Sequence, residues 1–426
     1  MTKPYEAYKE SKLDWLGDIP SHWDVIKLGA CFTERNEKVS DKDFAALSVT
    51  KNGILPQMEH VAKTDAGDNR KKVCVGDFVI NSRSDRKGSS GTSEYDGSVS
   101  LISIILEPRL YEPRFSHHLL RSYNFQEEFY KYGKGIVADL WSTRYSDMKN
   151  IVVPLIPKVE QKAIATFLDR ETKRIDSLIE EKQTFIKLLK EKRLALISHV
   201  VTKGLNPNVE MKDSGIEWIG QVPKHWVVGR IGYYARVING STPSRSNLPY
   251  WSRKEVPWLS SGSVNQYKIT HATEYISEDA LKECPIELLP IGTLVMGMIG
   301  QGKTRGLSAI TQIEATINQN LAAIITDSRL DSEYAHFLLE AAYNEIREFG
   351  RGGNQAALNC ELISNFKITI PPVDEQKKIV GELLNKSRIT DEILKEVEQS
   401  ITLLKEHRTS LISAAVTGKI DVREAV

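Results

Sequence analysis

Asp14-Trp15-Leu16-Gly17-Asp18-Ile19-Pro20-Ser21-His22-Trp23 returns as Glu217-Trp218-Ile219-Gly220-Gln221-Val222-Pro223-Lys224-His225-Trp226, 203 residues further along the chain. An acidic residue, Trp, an aliphatic, Gly, Pro and His-Trp at identical spacing are not a chance match, so self-similarity is the first feature to pursue. A second block, Asn150 to Lys162 (NIVVPLIPKVEQK), is matched by Asn365 to Lys377 (NFKITIPPVDEQK), now 215 residues apart. A third pairs Leu188-Leu189-Lys190-Glu191-Lys192-Arg193 with Leu403-Leu404-Lys405-Glu406-His407-Arg408 at the same shift. The chain is a tandem duplication whose ends match while the stretches between have diverged. Two copies are too few for a stacked solenoid, and a two-lobed, pseudo-symmetric molecule is expected.

Each Glu-Gln-Lys block leads into a helical pattern. Ile175, Ile179, Lys182, Ile186, Leu189, Arg193, Leu196 and Val200 recur at alternating steps of four and three, a heptad seam with two polar interruptions. The second copy gives Thr390, Leu394, Val397, Ile401, Leu404, Arg408, Leu411 and Ala415, with Arg408 standing where Arg193 does. Each helix needs a partner, and the other copy is the obvious one. Residues 160–201 would span about 60 Å as one helix, at ~1.5 Å per residue, long enough to act as a ruler. Pro157 and Pro371-Pro372 suit the helix starts; Gly204 and Gly418 suit the ends. The seam alone does not give the helix direction.

The 426 residues carry 57 Lys and Arg against 56 Asp and Glu, a formal charge of +1, so any nucleic-acid binding must come from local patches or partner subunits. Cys31, Cys74, Cys284 and Cys360 show no CxxC spacing, which argues against a zinc site or a disulfide framework. The N-terminus lacks a basic-then-apolar leader pattern, and no apolar run approaches the roughly 18 residues of a membrane span. A cytoplasmic protein is the expectation.

The divergent stretches hold short strand-like runs and loops dense in donors. In the first copy, strand–turn–strand around Gly76-Asp77 precedes Arg83, Ser84, Arg86 and Lys87, and Lys131, Lys134 and Arg144 follow later. In the second, Ser244 and Arg245, then Gln301, Lys303, Thr304 and Arg305, then Arg351 and Asn354 are the counterparts, with Asn318-Gln319-Asn320 beside them. Arg and Lys can take guanine edges or phosphates, and Asn or Gln can pair with adenine, so these are the DNA-contact candidates. A solvated loop is the competing reading for any one of them. Gly297 to Thr304 also satisfies the phosphate-loop pattern G-x-x-x-x-G-K-T. A true phosphate loop opens a helix, yet the β-branched run that follows reads partly as strand, leaving a P-loop NTPase as an alternative only. No Asn/Asp-Pro-Pro-Tyr/Phe motif for a flipped base is present, and His22 and His225, inside the duplicated block, read as packing residues. No catalytic or metal residue is assigned.

This order of parts resembles the specificity subunits of type I restriction–modification enzymes over essentially the full length: a variable region, Pro-x-x-Glu-Gln-Lys, a long helix with Leu-Leu-Lys-Glu-x-Arg, then the same again ending Ala415-Val416-Thr417-Gly418-Lys419. Gly240 to Ser244, Tyr250-Trp251, Val256 to Leu259 and the Gly300-Gln-Gly-Lys loop are similar to that family's recognition domains; the first copy lacks these pieces. The resemblance implies an α+β fold, with two pseudo-symmetric α/β target-recognition domains, residues 1–157 and 206–372, separated by two long antiparallel coiled-coil helices, 158–205 and 373–426. It further implies double-stranded DNA as ligand, a bipartite asymmetric target, two docked methyltransferase subunits and restriction subunits. S-adenosylmethionine, ATP and Mg2+ would then belong to the partners, and this chain would hold no cofactor. A scaffold that does not touch DNA is the third reading left open.

Overall fold

The computed structural model describes residues 3–57, 67–135, 141–300, 302–349 and 357–424. The chain divides into two units: residues 1–183 with 398–426, and residues 184–397. Six helices carry the argument: α1 (Pro113–Arg121), α2 (Tyr123–Lys131), α3 (Lys158–Lys203), α4 (Ser332–Ala341), α5 (Tyr343–Phe349) and α6 (Val373–Val416).

In unit 1, β1 (Phe32–Glu34), β2 (Phe78–Asn81), β3 (Ser90–Thr92) and β4 (Ser103–Pro108) form an antiparallel sheet in the order β3-β2-β4-β1. Strand Arg70–Val73, before the Gly76-Asp77 turn, belongs to a different sheet, so that turn passes the chain between sheets and closes no hairpin. Phe78 and Ile80 of β2 and Ile104 and Leu106 of β4 alternate inward against Phe115 and Leu119 of α1 and Phe125 of α2. In unit 2, β5 (Ala235–Asn239), β8 (Leu294–Gly297), β9 (Ser308–Thr311) and β10 (Leu321–Thr326) repeat the plan in the order β5-β10-β8-β9, with Lys268–Ile269 added in parallel to β9. A second sheet there places β6 (Val256–Leu259) between β7 (Glu274–Ile276) and Thr316–Ile317.

The heptad reading of the long helices holds. All sixteen seam positions are buried or half-buried, while residues such as Lys173, Lys187, Lys190 and Lys405 on the opposite faces are exposed. Within each unit, the part of α3 and the part of α6 that belong to it pair through the seam's polar interruptions. In unit 1, Arg408 meets Asp176 at 2.9 Å; in unit 2, Arg193 meets Asp391 at 3.8 Å. Arg408 repeats Arg193 and Asp391 repeats Asp176, so each arginine takes the other copy's aspartate. That exchange requires the two helices to run antiparallel in both units.

The duplicated blocks meet one another across long sequence separations. Leu13 to Gly17 and Ile216 to Gly220 form the same turn, closed by Gly17 and Gly220 at φ +59° and +67°. The turn delivers Trp23 and Trp226, both fully buried, to the starts of the long helices. There Glu160 accepts from Trp23 Nε1 at 2.8 Å and lies 2.6 Å from His22 Nε2, and His225 lies 2.8 Å from Glu375. Gln161 and Gln376 each accept the backbone N–H of a helix N-cap, Glu112 before α1 and Asp331 before α4. Each also donates its amide to a carbonyl just before its own helix, Ile156 or Pro371. The Glu-Gln pair is therefore a joint between long helix, Trp block and helix α1 or α4, and the exposed His22 and His225 rings bond to its carboxylates.

In unit 2, α3 runs through Gly204 directly into residues 205–213. In unit 1 the corresponding place is closed by residues far apart in sequence, where the Asp421 N–H donates to the Lys3 carbonyl at 2.7 Å. Gly418 ends α6 at φ +74°, and a Cβ there would stand 2.4 Å from Pro20, so no other residue fits without displacement. Among the described residues, no helix is long and apolar enough to cross a membrane.

Candidate nucleic-acid interface

In unit 1 the structure gathers three separate basic stretches around the β2–β3 turn. Arg83 to Lys87 form a tight 3-10 turn whose first N–H is held by the Asn81 side chain at 3.1 Å. The Ser84 N–H donates to the Trp141 carbonyl, the Thr143 N–H to Ser82, and Lys134 and Ser142 exchange backbone bonds. Lys134 and Arg144 are thereby brought beside Arg83 and Arg86, which the sequence alone does not reveal. Lys87 pairs with Glu127 of α2 and lies over the Tyr130 ring, Lys131 pairs with Glu128 at 2.8 Å, and Lys134 with Asp147 at 2.9 Å. Arg83 and Arg144 are exposed and have no carboxylate partner among the described residues. Surface ion pairs of this kind contribute about 0–1 kcal/mol, so exchanging them for phosphate contacts costs little.

In unit 2 the candidates fall into two groups on different sheets. Arg245, beside Ser244, lies flat on Trp251 at 3.6 Å and near Trp258 at 5.0 Å, with its guanidinium held by Glu274 at 2.7 Å. Both indoles are fixed by their own N–H groups, Trp251 to the Ser244 carbonyl and Trp258 to that of Ser241, each at 3.1 Å. A planar cation boxed in this way has lost its rotamer freedom before any ligand arrives. In the sequence the two Trp residues stand out only as family-like pieces. Their role in orienting Arg245 is missed there, although the spacing Ser-Arg…Tyr-Trp…Pro-Trp is the signal that carries it.

Lys303 and Thr304 sit in the turn between β8 and β9. This turn is clamped from α5, with Tyr343 Oη donating to the Lys303 carbonyl at 2.6 Å and Arg347 donating to the carbonyls of Gly302 and Arg305 at 2.9 Å. Lys303 is exposed, whereas Arg305 is buried and directed toward the Arg347 carbonyl. The G-x-x-x-x-G-K-T pattern lies between two antiparallel strands, β8 and β9, and among the described residues no helix opens after it, unlike a phosphate loop. Gln301, Arg351 and Asn354 lie outside the described residues.

Residues 223–403 match the family model for the type I restriction modification DNA specificity domain. This part of the chain is similar to the DNA specificity domains of type I restriction–modification enzymes. The specificity subunit of the EcoR124I/EcoR124II restriction enzyme of Escherichia coli is 24% identical over 48% of this chain and 50% of its own length, so that alignment spans about half of the relative. A MjaX specificity subunit of Methanocaldococcus jannaschii is 24% identical over 98% of this chain and 99% of its own. Two solved structures share the fold. One, from a study of complex assembly and conformational transition of the type I restriction–modification system, has a TM-score of 0.74 at 16% identity and covers 93% of this chain and 98% of its own. The other, the specificity subunit of Thermoanaerobacter tengcongensis, has a TM-score of 0.58 at 17% identity over 94% and 98%.

Proposed function

We propose that this chain is a type I restriction–modification specificity subunit, that each of its units reads one part of a split, asymmetric DNA target, and that methyltransferase subunits and restriction subunits assemble on it. The observation that carries the reading is the contrast within the duplication: the joints around Glu160-Gln161 and Glu375-Gln376 are kept, while the basic turns between β2 and β3 and between β8 and β9 differ in sequence. Chemistry belongs to the partners in this reading, with S-adenosylmethionine, ATP and Mg2+ bound there, and the complex works in the cytoplasm.

The deciding experiment is co-expression with a methyltransferase subunit from the same organism in a methylation-free host, followed by sequencing of modified adenines. A split motif with a fixed gap is expected; unmodified DNA despite co-purification of the proteins would overturn the reading. In the same system, Arg83→Ala with Arg144→Ala is expected to relax one part of the motif, and Lys303→Ala or Arg245→Ala the other, by about 1–3 kcal/mol of discrimination for each base that the arginine or lysine reads. A uniform loss over all sequences would assign these residues to phosphates alone.

A further inference from the structure

The duplication supplies an internal comparison. Helices α1 and α4 correspond through their N-caps, Glu112 and Asp331, which accept from the N–H three residues on at 2.9 and 3.0 Å and are tied to the two equivalent glutamines. In this register His117 matches His336, and Arg121 matches Glu340. In unit 2 the Glu340 carboxylate stands 3.7 Å from Arg193. In unit 1 the residue equivalent to Arg193 is Arg408, and what faces it from α1 is another cation, Arg121. One copy carries its own anion at this place; the other carries a second guanidinium.

We infer that unit 1 binds a phosphate-class oxyanion in the cleft lined by His117, Arg121, Lys173 and Arg408, where unit 2 has its internal carboxylate. The cleft has a volume of about 450 Å³ and is also edged by the hydroxyls of Thr172 and Ser177. Two of its three carboxylates are engaged: Asp169 lies 2.7 Å from His118 and 3.1 Å from Arg114, and Asp176 takes one edge of Arg408; the third, Glu180, is exposed at the rim. Arg121 has no carboxylate partner among the described residues, its bonds going to the Lys51 carbonyl at 2.6 Å and to His117.

His117 gives an independent sign that an acceptor is wanted. The Thr92 N–H points at its Nδ1 at 3.2 Å, and an Arg121 N–H points at its Nε2 at 3.0 Å. A neutral imidazole accepts at only one nitrogen, so one of these two donors faces another N–H. Burial, together with Arg121, holds the His117 pKa down to about 3, so the ring is neutral at pH 7 and the surplus of donors persists. Burial and the nearby Arg408 likewise lower the pKa of Arg121. An oxyanion between the two guanidiniums accepts from both and relieves their repulsion. This inference does not depend on the DNA-reading proposal.

The test is calorimetric titration of the full chain with sodium phosphate against sodium chloride at matched ionic strength. Saturable phosphate binding is expected, weakened about tenfold or more in Arg121→Glu, a change of about 1.4 kcal/mol. Arg121→Glu recreates the unit 2 pairing, so its melting temperature without phosphate should equal or exceed that of the wild type; Arg121→Gln serves if that variant does not fold. Absence of phosphate-specific heat in the wild type, or unchanged binding in the folded variant, overturns the site. A non-target duplex that displaces the phosphate assigns the group to a DNA backbone, and one that leaves it in place assigns it to a free ion.

Discussion

Glu160→Ala is expected to destabilise unit 1 by about 3 kcal/mol, and the equivalent Glu375→Ala to cost unit 2 about 1 kcal/mol or less. Glu160 is buried, accepts from the fully buried indole N–H of Trp23, and also takes the His22 ring and the Tyr5 hydroxyl, the last at 3.3 Å. Removing it leaves a buried donor with nothing to bond, which costs more than a bond's net contribution. Its carboxylate also helps push the Tyr5 pKa up, after burial, so the phenol stays a donor at every working pH. Glu375 is more exposed, and the Trp226 N–H already lacks a hydrogen-bond partner among the described residues. Deleting Glu375 therefore orphans nothing new beyond the His225 ring. Hydrogen exchange read separately for residues of the two units would check this; equal losses of protection would mean that the Trp blocks, and not the carboxylate, hold the joint.

The same joint shows how far residues can be read without coordinates. The heptad seam is legible because helical periodicity is local, and the sixteen positions follow from spacing alone. The duplicated Glu-Gln and Trp blocks are legible as matches, but their meeting is not: Trp23 and Glu160 are 137 residues apart, and nothing in either block names the other. The turn residues divide in the same way. Lys303 and Arg305 look equivalent in sequence, yet two residues along a strand-flanked turn one points to solvent and the other is buried, because Tyr343 and Arg347 of α5 pin the backbone between them. Lys134 and Arg144 come to lie beside Arg83 through backbone bonds of Ser82, Ser84 and Ser142, small residues whose side chains carry no signal of such pairing.

Acidification is expected to weaken both units through the matched histidines of α1 and α4, most clearly through His336. This ring is buried, bonded through Nδ1 to Ser308 at 3.0 Å and tilted against Tyr267 with ring centres 4.7 Å apart. Burial first, and the charge of Arg193 second, lower its pKa to about 4. The unfolded chain would protonate this histidine near pH 6.5. Between those values the unfolded state binds more protons, so stability present above about pH 6.5 is lost as the pH falls and levels off near pH 4. For His336 the loss amounts to at most about 3 kcal/mol. For His117, which is half-buried and closer to water, screening reduces it to about 2 kcal/mol. Neither loss comes from breaking an ion pair; both arise because a cation cannot enter where the ring already sits among apolar groups and arginines. His336→Asn keeps a polar atom near Ser308 but cannot take up a proton, so its unfolding midpoint in urea should fall less between pH 7 and pH 4.5 than that of the wild type. Superimposable pH profiles for the two proteins would place the acid sensitivity elsewhere, in the carboxylates that titrate over the lower part of the same range.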